Sequence, residues 1–269
     1  HSVTIQMLTN MTSGIPEYVS SADIDEWFNN DPTVFLATDS LISYAADMNY
    51  YFSPGTNWQY SNTNSIIIQK IIEKITGNPL KYEMRTRLFE PLGLSQTAYL
   101  SAGTDLPLPH SEGYYAGALT EEPQNFTEVI DISVVKGAGA AISTIHELKK
   151  YVEHLVNGDY LSEDMHSHRM NYLIEPEKIP LPIKYGTGWM EWNGFYGHDG
   201  GFPGFSSLMV SNPNDGTTVI FWFNCQLENH NVLDYFAQVY EIIYGEICIE
   251  PGSQNSSLSN IDYFHKLNF

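Results

Sequence analysis

The chain has 269 residues, 42% of them hydrophobic and 13% aromatic, with 12 Lys plus Arg against 32 Asp plus Glu and a net charge of −20. A chain of this length buries about 75% of its unfolded surface, so neither a disulfide framework nor a metal is needed to hold it together, and the composition excludes a disordered chain. The acidic balance argues against nucleic acid and anionic lipid as partners, and no apolar run approaches the roughly 18 residues of a membrane span.

Val3 to Met11 is expected to form a short helix, stopped by Ser13-Gly14-Ile15-Pro16. Ser21 to Trp27 and Asp39 to Met48 have Ser or Asp at their starts, as helical turns do, and Phe52-Ser53-Pro54-Gly55-Thr56 is a turn. From Thr63, Ile67, Ile68, Ile71, Ile72 and Ile75 recur at helical spacing, which predicts a core-facing helix closed by Gly77. Pro79 suits the first turn of the next helix, which runs to about Phe89. Residues 95–135 are rich in loop formers. Thr144 to Glu147 has capping-box spacing and opens an amphipathic helix that ends at Gly158. The period then turns strand-like: Tyr185 to Trp192, Phe205 to Ser211 and Thr217 to Asn224, the last two joined by Pro213-Asn214-Asp215-Gly216. Val232 to Tyr244 is a C-terminal helix. Helices, then antiparallel strands, then a helix make an α+β arrangement.

Two segments concentrate reactive side chains. Pro54 to Asn62 is a tight turn that delivers Tyr60 and Asn62 just before a helix. Tyr196 to Phe205 places His198 and Asp199 beside Gly200 and Gly201, which allow close approach of another backbone or a substrate. Residues 1–69 and 185–265 contain no Lys or Arg, so both segments lie in stretches without basic residues.

Together with three further segments, these resemble the serine β-lactamase and penicillin-binding-protein superfamily, in its class C-like branch of D-peptidases, carboxylesterases and amidases. Val3 to Gly14 resembles the "TI..LLTHTSG" segment, with Asn10 and Met11 in place of His and Thr. Tyr60-Ser61-Asn62 is similar to the Tyr-x-Asn motif, Pro91-Leu92-Gly93-Leu94 to the "PLGM" turn, and Gly139 to Thr144 to the "GGL.ST" segment. His198-Asp199-Gly200 is similar to the Lys-Thr-Gly or His-x-Gly strand motif. The resemblance covers nearly the whole chain and implies a single β-lactamase-like domain over 1–269, helical over roughly 20–160, with the sheet and last helix over roughly 185–250. It implies acyl transfer by a serine, with no cofactor. In that scheme Tyr60 is the acid and base, Asn62 holds the acyl-side amide, His198 supplies a hydrogen bond or positive charge, and the Gly201 amide is an oxyanion donor. Asp199 and Gly200 line the substrate. An anionic Asp199 would repel a substrate carboxylate, which favours an ester or amide that is neutral or cationic at the scissile bond. The resemblance also implies a periplasmic or secreted location.

The family's Ser-x-x-Lys nucleophile lies upstream of the "TSG" segment, which here begins at residue 3, and the chain starts at His1 rather than Met. The N-terminal part of the sheet, with Ser and Lys, is therefore expected from sequence outside these residues, for example a bound N-terminal fragment. The alternative is a catalytically inactive binding protein or a non-functional fragment. Ser133-Val134-Val135-Lys136 matches Ser-x-x-Lys, but it is β-branched and follows Tyr60, against family order. No metal site is expected: His166-Ser167-His168 lies in a polar loop without a spaced third ligand, and His146-Glu147 lacks a second His. Cys225 and Cys248 are left open between pairing and free thiols, and Asn10, Asn125 and Asn255 begin glycosylation sequons.

Overall fold

The computed structural model describes residues 2–116, 122–176, 182–227 and 232–245; Cys248 and the Asn255 sequon lie outside them. The described residues divide into two compact units. One holds residues 2–108 and 128–147, the other 109–127 and those from 148 onward.

The first unit is helical, and side chains cap the first two of its helices. Thr4 accepts from the Met7 amide at the start of α1 (Ile5–Thr9), and Ser21 accepts from the Ile24 amide at the start of α2 (Ala22–Asn30). α3 (Thr38–Ala46) follows, then α4 (Asn62–Thr76), which Gly77 ends at φ 73°. The helix expected after Pro79 is α5 (Leu80–Met84), continued by a π-helical turn over Arg85–Phe89. β1 (Ala98–Tyr99) pairs antiparallel with β4 (Ala141–Ile142).

α4 differs from the expected isoleucine-faced helix. Its buried residues are Thr63, Asn64, Ile66 and Gln69, while Ile75 is 76% exposed. The reason is polar satisfaction. Asn64 Oδ1 accepts from Ser13 Oγ at 2.6 Å, Thr63 Oγ1 donates to the Pro16 carbonyl at 2.6 Å, and Gln69 Oε1 accepts from the Gly137 amide at 2.9 Å. Two segments, around Ser13–Pro16 and around Gly137, therefore hang on polar side chains of the helix, and apolar periodicity alone does not see such a face.

In the second unit a short sheet of β2 (Tyr114–Ala116), β3 (Gln124–Asn125) and β10 (Cys225–Leu227) has the order β10-β2-β3. The main antiparallel sheet runs β5-β6-β7-β8-β9. The single strand expected over Tyr185–Trp192 is two strands, β5 (Lys184–Tyr185) and β6 (Met190–Trp192), because Gly188 at φ 71° lets the chain turn between them. β7 (Phe195–Phe202) is the longest strand of the sheet. It folds back on β8 (Phe205–Ser211) through Pro203-Gly204, and β8 continues into β9 (Thr218–Phe223) as the Asp215-Gly216 signal predicted.

Side chains alternate across β7 and fix its two faces. Phe195 packs edge-on against Phe236 of α8 (Val232–Tyr244), at 5.2 Å between ring centroids. Tyr196 packs on Trp189, which clusters with Val152 and Val156 of α6 (Ile145–Asn157). The capping expected at Thr144 is present, its Oγ1 accepting from the Glu147 amide at 3.3 Å. His166 and His168 lie on α7 (Glu163–Asn171), not in a loop. Ser162 caps α7, and Glu163 and Asp164 sit at its positive end.

Candidate active-site residues

Tyr60 and Asn62 stand where a loop meets α4, and segment 10–18 holds that junction. The Tyr51 amide donates to the Gly14 carbonyl at 2.9 Å, Gly55 to Thr12 at 2.8 Å, and Gln59 to Met11 at 3.0 Å. Gly14 is required for this approach. Its φ is 72°, and a Cβ there would lie 2.2 Å from the Phe52 carbonyl oxygen. Ser61 is fully buried, its hydroxyl on the Pro16 carbonyl at 3.2 Å, so of Tyr60, Ser61 and Asn62 only the first and last are partly exposed.

Glu17, absent from the residues singled out by sequence, is at the centre of this junction. Its Oε2 accepts from the Asn62 backbone amide at 2.6 Å and its Oε1 from the Val19 amide at 3.2 Å. Burial drives its pKa up from 4.5 to about 7, against the downward pull of the hydrogen bonds from Asn62 and Val19. The neighbouring Tyr18 is buried, which pushes its phenol well above its ordinary value, and the Glu17 charge adds to the shift. The only sequence cue to Glu17 is its place after Pro16, one acidic residue among 32.

In the second unit, His198 lies mid-strand on β7. Its Nδ1 faces the Asp199 carbonyl at 2.6 Å and the Asp199 carboxylate Oδ1 at 3.3 Å; both are acceptors, so Nδ1 carries a hydrogen. Nε2 meets the hydroxyl of the buried Tyr185 at 3.1 Å, which donates to a neutral ring and accepts from a charged one. Burial works to lower the His198 pKa, but hydrogen bonding and charge from Asp199 outweigh it, and the net shift is upward. The Asp199 side chain is 3% exposed and turned to the His198 ring. Gly200 lies opposite Ser207, whose Oγ a Cβ would meet at 2.7 Å, and Gly201 is exposed opposite Ser206. Gly197 has no room for a side chain: a Cβ would lie 1.9 Å from the Met209 carbonyl oxygen. Sequence reasoning missed Tyr185, which is distant along the chain and carries no motif.

Ser133 is not placed for chemistry. It is fully buried, its Oγ accepts from the Leu36 amide at 2.8 Å, and the Lys136 ammonium sits 4.3 Å from the centre of the Phe35 ring. Asn10 is 2% exposed with its Oδ1 accepting from Thr12 Oγ1 at 2.7 Å, so its sequon is closed in the folded chain, whereas Asn125 is exposed. Among the described residues no helix is long and apolar enough to cross a membrane.

The chain is 25% identical over 267 residues to penicillin-binding protein 4* of Bacillus subtilis, an alignment covering 91% of this chain and 56% of that protein. It is 27% identical over 270 residues to an unguisins hydrolase of Aspergillus campestris, covering 93% of this chain and 47% of that one. The chain thus spans about half the length of these curated relatives. Its fold is similar to that of a D-stereospecific amidohydrolase from Streptomyces sp., with a TM-score of 0.76 and 26% identity over 83% of this chain and 68% of that one. A penicillin-binding protein from Bacillus halodurans has the same fold at a TM-score of 0.74 and 20% identity, over 89% of this chain and 72% of that one. The family model described as Beta-lactamase matches residues 1–241, which include the Tyr60-Ser61-Asn62 and His198-Asp199-Gly200 motifs, and the chain belongs to that family.

Proposed function

We propose that this chain supplies the acid–base and substrate-holding parts of a serine hydrolase that cleaves an ester or amide through an acyl-enzyme. The nucleophilic Ser and its Lys come from sequence outside these 269 residues. The observation that carries this reading is the Tyr60–Asn62 junction, held by three backbone hydrogen bonds to segment 10–18 with both motif side chains at a partly exposed helix start. In the proposed first step the Ser oxygen adds to the substrate carbonyl while its proton passes to Tyr60. Collapse of the tetrahedral intermediate then expels the leaving group, which takes that proton from Tyr60. Water repeats the sequence in reverse roles and releases the acid. Asn62 holds the acyl side, the Gly201 amide donates to the oxyanion, and His198, whose charge Asp199 favours, adds positive potential.

The names of the relatives narrow the substrate. Those proteins are called D-stereospecific amidohydrolase, D-amino acid amidase, penicillin-binding protein and esterase. Residues 1–69 carry no Lys or Arg to bind a substrate carboxylate, so we assign an amide or ester that is neutral or cationic at the scissile bond. We read residues 1–269 as one β-lactamase-like domain in a periplasmic or secreted protein. β9 is one of the two edge strands of the main sheet among the described residues, and of the two it is the longer, so its Val219 to Phe223 edge suits pairing with an N-terminal segment.

Denaturing intact-mass spectrometry after treatment with a fluorophosphonate tests the proposal. An adduct on an accompanying N-terminal fragment, or on an upstream Ser of a longer gene product, is the expected result. An adduct on this chain's own residues overturns it, as does equal turnover of amino acid amides and D-Ala-D-Ala peptides for the substrate assignment. The burial of Ser133, the only Ser-x-x-Lys serine in the sequence, favours a second reading: used alone, this chain binds such ligands without turning them over.

A further inference from the structure

We infer that Glu17 is the positioning residue of the Tyr60–Asn62 turn: its carboxyl group holds Asn62 in place from across the chain, and a change in the charge of that group is felt at Asn62 and Tyr60. The inference rests on the reading of Tyr60 and Asn62 as site residues and adds to it the group that sets their geometry.

The two carboxyl oxygens have different tasks. Oε1 accepts from Val19 within its own turn, and Oε2 reaches 45 positions along the chain to the Asn62 backbone amide at 2.6 Å. The side-chain amide of Asn62 also hydrogen-bonds to the carboxyl group. An ionised carboxyl group only accepts, so it directs the Asn62 side-chain nitrogen toward itself and the Asn62 carbonyl oxygen away. Adding a proton turns one oxygen into a donor and removes the charge that strengthens the bonds to the three N–H groups, so Asn62 reports the charge state of Glu17. Asn62 is the first residue of α4 and Tyr60 lies two residues before it, so both belong to the turn that Glu17 anchors.

Among the described residues no carboxylate–cation pair fixes Glu17 in its charged state. Its backbone amide donates to the Tyr51 hydroxyl at 3.1 Å, and the phenol of Tyr18 follows it in the chain. The helices packed against its turn bring Asp23, Asp25 and Glu26 on α2, Asp39 and Tyr44 on α3, and Lys70, Glu73 and Lys74 on α4. Lys70 is taken by Asp39 at 2.8 Å. Burial of the carboxyl group, opposed by N–H donors alone, places its ionisation within reach of ordinary working pH.

Nuclear magnetic resonance of the 269-residue chain labelled at Glu, Asn and Tyr tests this without reference to turnover. The expected result is one common titration midpoint near 7 for the Glu17 carboxyl carbon, the backbone and side-chain N–H signals of Asn62 and the Tyr60 ring. Glu17→Gln should abolish the response of Asn62 and Tyr60 across that range. The inference is overturned if Glu17 titrates in the ordinary carboxylate range, or if it titrates near 7 while Asn62 and Tyr60 stay flat. A purely structural role would lower the melting temperature of Glu17→Gln without any such response in the unmodified chain. If Glu17→Gln does not fold, the unmodified chain alone still decides between these outcomes. Failure of the hydrolase reading appears in the mass-spectrometric labelling and leaves these titrations unchanged, so the two fail separately.

Discussion

The Tyr60 region and the His198 region each depend on a carboxyl group, and the two groups face different kinds of partner. Glu17 is met by neutral N–H donors from Val19 and Asn62, so the cost of burial prevails and its pKa rises to about 7. Asp199 faces an imidazole, and there the carboxylate favours the charged ring and lifts the His198 pKa instead. The chemistry of a buried carboxylate is thus set by the partner's capacity for charge rather than by the number of hydrogen bonds. The regions also differ in what holds them. Loops crossing loops, each closed by a few backbone hydrogen bonds, make the first, while a continuous β7–β8 ladder makes the second.

The largest expected effects test those two kinds of scaffold. Gly14→Ala sets a Cβ against the Phe52 carbonyl at φ 72°, and Gly197→Ala sets one against the Met209 carbonyl. Each should cost at least about 3 kcal/mol in urea unfolding, since backbone must move in both. A small loss for Gly14→Ala alone would show that the loop scaffold yields where the sheet does not.

The next effect concerns pH. The folded chain binds the Glu17 proton more tightly than the unfolded chain does, so Glu17 contributes stability below about pH 4.5 that is lost as pH rises to about 7. The loss is about 3 kcal/mol at most, and Glu17→Gln should flatten the profile over that window. A profile with the same slope in the variant would remove Glu17 from the account.

His198 has the same sign for a different reason. Its contribution is present below about pH 6.5 and disappears as pH rises through the raised folded value. Asp199→Asn leaves burial unopposed by the carboxylate, and the His198 titration followed by proton resonance should drop below about 6.5. An unchanged midpoint would mean that the Asp199 backbone carbonyl, not the carboxylate, supports the ring.

The smallest effect probes stored strain. Among the described non-glycine residues with positive φ, Met11, Glu128, Lys136 and Ala140 belong to the first unit and only Asn193 to the second. Ala140 is buried at φ 62°, and glycine relieves a left-handed backbone at the expense of unfolded-state entropy. Ala140→Gly should raise stability by about 0.5–1 kcal/mol, measured by thermal unfolding. A loss would show that its side chain contributes more by packing than the backbone costs.

Sequence alone determined the α+β class, the order of helices before strands, and the two motifs on which the proposed chemistry rests, because these depend on short-range signals. Capping residues such as Ser21 and Thr144, the stop at Gly77 and the Asp215-Gly216 turn act within a few residues of themselves. The strand break at Gly188 was missed because a glycine that turns the chain and one that only weakens a strand look alike in sequence. Tertiary structure decided which face of α4 is buried, because Asn64 and Gln69 find partners in loops 51 and 68 residues away and so pay no unsatisfied-polar cost. It also decided the partners of the motif residues. Glu17 meets Asn62 across 45 residues where loop meets helix, and Tyr185 on β5 meets His198 on β7 across the intervening strand β6, contacts that no local pattern encodes.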